Sequence, residues 1–200
     1  MYMGDVKSKT FLDTNASSAT YVAAAARPTS TFTLANTSFG TNTARKITAT
    51  TAGTGDNGKT VTIVGKDHNN EDATEVITLT GSAETSSGTT TAFLSITSAT
   101  VSAQPAANVS LGMTADVFGS IFQGRTRVRQ VNAESGGSIG SVLFRNGSLT
   151  GTALLTVRTG ATAGDVNTVN IPQDGILYKD GAFVTFDETQ CNSATVYFDG

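Results

Sequence analysis

Five places in this 200-residue chain carry residue types that can do chemistry. The first is Gly53-Thr-Gly-Asp-Asn-Gly58-Lys59-Thr60, which has the glycine, lysine and threonine spacing of a phosphate-binding loop. In such a loop the Lys-Thr pair opens a helix whose N-terminal amides cradle phosphate. Here Thr60-Val-Thr-Ile-Val64 follows, a β-branched run with strand period. The context therefore predicts a glycine-rich turn leading into a strand, with no nucleotide bound.

The second is Asp67-His-Asn-Asn-Glu-Asp72, a cluster of oxygen donors. A calcium loop of the helix–loop–helix type needs glycine at its sixth position, where Asp72 stands. A solvated hairpin loop is expected, with no metal. His68 is the sole histidine, so a histidine metal site or a Ser–His–Asp triad has one candidate and no assembled partners. The third is Cys191, alone and without a nearby histidine, which reads as a small apolar residue before the last strand. Asp187 and Glu188, the fourth, are neighbours on a β-like segment and so point to opposite faces, a poor acid/base pair. The fifth is Arg125, Arg127 and Arg129, which alternate with Thr126, Val128 and Gln130 and set guanidinium groups along one strand face. That face is either solvated or an interface that clamps carboxylates of a neighbouring subunit. No catalytic residue and no cofactor is assigned, and the expectation is that the chain is not an enzyme.

The elements around these residues are short strands rich in threonine. Lys59-Thr-Val-Thr-Ile-Val64, Thr74-Glu-Val-Ile-Thr-Leu-Thr80 and Leu154-Leu-Thr-Val-Arg158 recur between Gly, Asn, Asp and Ser clusters. Such spacing suits a sandwich or barrel. An all-β chain is expected, with two tandem β-sandwich domains of Ig-like or jelly-roll-like type. The first spans 41–115 and the second 124–200, with 116–123 as connector. Ser82–Thr91 reads as a loop. Ile176–Lys179 and Ala182–Phe186 read as a hairpin closed at Asp180-Gly181, and Asn146-Gly147 as a longer turn.

Residues 1–40 lack sustained period, and Arg27-Pro28 breaks any helix begun at Tyr21–Ala26. They read as an extended arm that docks on another subunit through Phe11, Leu12, Tyr21, Val22, Phe32 and Leu34. Charged residues make up only 14% of the chain and the net charge is −3, so nucleic acid, which demands a basic footprint, is not an expected partner. No run approaches membrane-spanning length, and no apolar stretch of roughly 7–15 residues follows Lys7 and Lys9. The expectation is a chain made in a cytoplasm.

Two stretches resemble the β-sandwich units of tailed-bacteriophage virion proteins. One is Asp56-Asn-Gly-Lys-Thr-Val-Thr-Ile-Val-Gly-Lys-Asp67 continued by Thr74–Gly81. The other is Gly140-Ser-Val-Leu-Phe-Arg-Asn-Gly-Ser148 continued by Ile171-Pro-Gln-Asp-Gly-Ile-Leu-Tyr-Lys-Asp-Gly-Ala-Phe-Val184. The resemblance implies a structural protein of the virion, a capsid decoration (cement) protein that glues shell subunits. Its partners would be the major capsid protein or tail proteins and copies of itself, as a trimer. Two alternatives stand beside it. One is a tail, adaptor or fibre-associated component; the other is a carbohydrate-binding module for host attachment, which the lack of Trp weakens.

Overall fold

The computed structural model describes residues 5–13, 15–51, 53–80, 88–172 and 174–200. The protein is all-β: 58% of it is strand, and no α-helix occurs among the described residues. Most of the loop expected at Ser82–Thr91 lies outside the described residues. The strands are β1 (Val6–Leu12), β2 (Ala23–Ala26), β3 (Ala44–Thr51), β4 (Thr60–Asp67), β5 (Asp72–Thr78), β6 (Ala92–Val101) and β7 (Val109–Phe122). They continue as β8 (Thr126–Ser135), β9 (Gly140–Asn146), β10 (Ala153–Thr159), β11 (Val166–Asn170), β12 (Ile176–Tyr178), β13 (Ala182–Asp187) and β14 (Cys191–Asp199).

The chain divides into two compact units, and their membership departs from the expected boundaries. One unit combines residues 1–15, 40–43 and 116–200; the other combines 16–39 and 44–115. No connector separates them at 116–123. Those residues continue β7, a strand of 14 residues whose first half belongs to one unit and whose second half belongs to the other. Gly119, inside the expected connector, serves packing: a β-carbon there would lie 2.3 Å from ring atoms of Phe11.

The unit holding the C-terminus is a sandwich of two antiparallel layers. One layer runs β1–β14–β8–β11, with β12 also on β8; the other runs β10–β9–β13 and the second half of β7. Between them lie Phe11, Val117, Ile121, Val128, Val131, Phe144, Tyr178, Val184, Phe186 and Val196. In Thr126–Ser135 the inward face does not keep one period: Thr126 and Val128 are buried, a register shift against β14 skips Arg129, and Val131, Ala133 and Ser135 carry the buried face on. The other unit runs from the first half of β7 through β3, β6 and β4 to β5, with β2 on β7. Its core gathers Val22, Phe32, Phe39, Ile47, Ile63, Phe93, Ile96 and Leu111.

The arm expected over residues 1–40 is built into these two cores. β1 pairs with β14 over its whole length, from Val6↔Asp199 to Leu12↔Ser193. The following segment crosses β7 where Gly112 allows it, since a β-carbon there would sit 2.2 Å from the Ser18 carbonyl oxygen. Thr31 and Ser38 then bridge to Thr100 and Ser95 of β6. The segment hides from sequence reading because its partners lie far along the chain. Among the described residues, many of the backbone groups expected to need a neighbouring subunit find partners in the same chain.

The Asp180-Gly181 turn also differs from expectation. β12 pairs with β8 and β13 with β7 and β9, so this turn carries the chain from one layer to the other and is not a hairpin. Gly181 does adopt the expected positive φ, +105°. Asn146-Gly147 does open a true hairpin between β9 and β10 with a longer loop.

Candidate functional site

The phosphate-loop spacing at Gly53–Thr60 folds as a 3-10 turn, Thr54–Asp56, followed by strand β4. Asp56 is its anchor. The fully buried carboxylate accepts from Ala106 N–H at 2.5 Å, Ala107 N–H at 3.1 Å, Thr51 Oγ1 at 2.9 Å and Lys59 Nζ at 3.0 Å. Burial alone would raise its pKa, but these four donors outweigh it and hold the carboxyl down at about 2. Lys59 is committed inward, to Asp56 and to the Gln104 carbonyl at 2.9 Å.

At Asp67–Asp72 the structure forms the tip of the β4–β5 hairpin. Asp67 Oδ1 turns onto its own backbone, accepting from Asn69 N–H at 2.8 Å and Glu71 N–H at 3.0 Å. Asp72 pairs with Lys66 at 2.8 Å. Burial lowers the His68 pKa, against the pull of Asp67 and Glu71. Among the described residues no group of three His, Cys, Asp or Glu is placed to hold a metal ion. Glu75 on β5 clasps the chain at 90–91, accepting from Thr90 N–H at 2.5 Å and Thr91 N–H at 2.8 Å. Cys191 is buried in the C-terminal sandwich, and burial pushes its thiol up to about 12, so it stays protonated and inert. Asp187 accepts from Thr189 N–H at 2.8 Å within a turn.

The six residues assigned to arm docking divide. Phe11, Val22 and Phe32 are buried in the chain's own cores and cannot anchor a neighbour. Tyr21 and Leu34 are half-buried against the core of their unit, and the Tyr21 hydroxyl donates to the Ser38 carbonyl at 3.1 Å. Leu12 is 37% exposed at the end of β1. Tyr178 is fully buried, so it offers no platform to a sugar ring.

The three arginines also part company. Arg129 is taken up by Asp199 of β14: Nε donates to Oδ2 at 2.7 Å and Nη2 approaches the same oxygen at 2.5 Å. Arg127 gives one Nη1 bond, 3.1 Å, to the Asp174 carbonyl. Arg125 lies just before β8 and is exposed. Together Arg125, Thr126, Arg127, Leu177, Asp199 and Gly200 line an open cleft of about 210 Å³. The Lys7 ammonium donates to the Gly200 carbonyl at 2.5 Å beside it. Sequence reading found the arginines but not Leu177, Asp199 or Lys7. Their partnership depends on β1–β14 and β14–β8 register, which no local spacing signals.

No family model, curated protein or solved structure matches the chain. The functional reading therefore rests on the residues and on the fold they build.

Proposed function

We propose that the protein is a structural component of a bacteriophage virion, a capsid decoration (cement) protein that joins shell subunits through its sheet edges. The observation that carries this is where the exposed large apolar residues fall. Each of the four strands at the ends of the two main sheet paths bears one: Val6 on β1, Val76 on β5, Leu154 on β10 and Val166 on β11. Leu12 also lies on β1, Ile139 lies in the β8–β9 loop, and the side strands β2 and β12 bear none. Val6, Val76 and Val166 are more than half exposed, at 54–60%.

A terminal strand already offers unpaired N–H and C=O groups to another chain, and freely soluble proteins usually blunt such edges with solvent-facing charge. On β1 Lys9 does not serve that purpose, although Lys7 on β1 and Arg158 on β10 are exposed. Lys7 turns to the Gly200 carbonyl and Lys9 to the Ser120 carbonyl at 2.7 Å, both within the same unit. Edges that keep their hydrogen-bonding groups and add apolar side chains suit contact with further protein. A small area per contact suffices when a shell repeats it many times. The sequence resemblance to virion sandwich proteins supports the same reading, and copies of the chain associating as a trimer fit it. Immunogold labelling of virions that encode the chain tests it: label over the head is expected, label over the tail supports the tail alternative, and unlabelled particles reject both.

A further inference from the structure

We propose that the Arg125–Arg127 cleft receives a carboxylate side chain from an acidic segment of an assembly partner. This rests on the assembly reading above and names the chemistry of one contact.

The acidic side chain that lines the cleft, Asp199, is already paired with Arg129 through two nitrogens, and the neighbouring Asp174 carboxylate also acts on Arg129. Arg127 spends one donor on the Asp174 carbonyl, and a guanidinium carries five N–H donors. Arg125 is exposed and makes no hydrogen bond or ion pair with any described residue. Lys7, on the Gly200 carbonyl, adds a third positive charge at the rim. A chain of net charge −3 thus keeps a local cationic notch with unspent donors. Guanidinium forks match carboxylate geometry and bind it through paired N–H bonds. Leu177, half-buried on β12, supplies an apolar wall against which the methylenes of a glutamate can lie. A free phosphate would make no use of that wall. The cleft has room for a side chain and is open, as a docking notch on an assembling surface needs to be.

The test uses the full chain and poly-L-glutamate carrying a fluorophore, with binding read by anisotropy at low salt. The wild-type chain should bind, and the Arg125→Ala/Arg127→Ala variant should bind about tenfold more weakly or worse. Arg158→Ala, which removes an exposed arginine from β10, should leave the affinity within about twofold, because it carries charge but no cleft. Equal thermal midpoints show that the double variant folds; if it does not, Arg125→Lys/Arg127→Lys keeps the charge and should still weaken binding by losing the fork. No binding by the wild-type chain, or equal binding by the folded cleft variants, overturns the proposal. So does inorganic polyphosphate binding tighter than poly-L-glutamate, which would make this a phosphate site. Particles that carry the protein while poly-L-glutamate binding is absent would sink the cleft and leave the assembly reading standing. Binding by a protein absent from particles would do the reverse.

Discussion

The ring of Phe11 lies against Gly119, its Cδ1 and Cε1 both 2.3 Å from where a β-carbon on that glycine would sit. Residues 108 positions apart in sequence are thus fitted to one another. Gly119→Ala forces the ring or strand β7 to move, with Val184 Cγ1 only 3.1 Å from the same β-carbon position. Overpacking of this kind costs about 1–3 kcal/mol. Phe11→Ala should cost about 3–5 kcal/mol by opening a cavity. The double variant should cost clearly less than the sum, because removal of the ring makes room for the methyl group. Urea denaturation of the four proteins checks this; strict additivity would mean that the two residues do not meet.

Deleting residues 1–13 removes β1 and Phe11 from the C-terminal sandwich. The expected result is a loss of stability at least as large as that of Phe11→Ala, about 3–5 kcal/mol. Faster hydrogen exchange in β14, whose edge is then bare, should accompany it. A truncated chain with an unchanged denaturation midpoint would restore the picture of a free arm.

Asp56 makes folding sensitive to acid. Its folded pKa, about 2, lies below the ordinary value of 3.8, so between these values the unfolded chain binds more protons. The contribution of Asp56 is therefore complete above about pH 4 and is lost as pH falls toward 2. Glu75 acts with the same sign: burial raises its pKa, but the bonds from Thr90 and Thr91 prevail and lower it. Asp56→Asn should destabilise the protein at neutral pH by about 1–3 kcal/mol, since it takes the charge from four donors. It should also flatten the loss of stability between pH 4 and 2. Midpoints measured across that range decide the matter.

Lys59 is bonded to Asp56 and to the Gln104 carbonyl, so equilibrium dialysis with ATP and magnesium should show no binding. Micromolar binding that disappears in Lys59→Ala would contradict the assignment of this loop as a buried turn.

Gly181→Val should lower stability by about 1–3 kcal/mol. The positive φ, +105°, resists a β-branched residue, and a β-carbon there would stand 3.0 Å from the Gln123 carbonyl oxygen and 3.1 Å from that of Phe122. A chemical-denaturation midpoint equal to that of the wild type would show that the crossover adapts without strain.

What the sequence made legible was local. The β-branched run after Lys59 marks β4, and the alternation from Arg125 to Gln130 marks the start of β8 with Val128 inward, whereas the register shift at Arg129 that turns Val131 inward has no local signal. Context alone separated Gly53–Thr60 from a phosphate loop. What stayed hidden was long-range. β1 and β11 are edge strands without a clean apolar/polar alternation, and Val6–Leu12 declares itself a strand only beside β14. The 116–123 stretch reads as a connector until Phe11 is found beside Gly119. Asp180-Gly181 has the chemistry of a hairpin turn, yet the pairing of its flanking strands with β8 and with β7 and β9 sends them to different layers. At the cleft the arginines were visible, but their division into one paired and two available groups depends on Asp199, 70 residues beyond Arg129.

The central claim is that this chain works as a structural part of a virion. Purified particles banded on a density gradient and analysed by quantitative mass spectrometry test it most directly. The account predicts that the protein bands with intact particles at a fixed ratio to the shell or tail subunits and survives a second gradient. Recovery of the protein only in the soluble fraction, with none in the particle band, would contradict it.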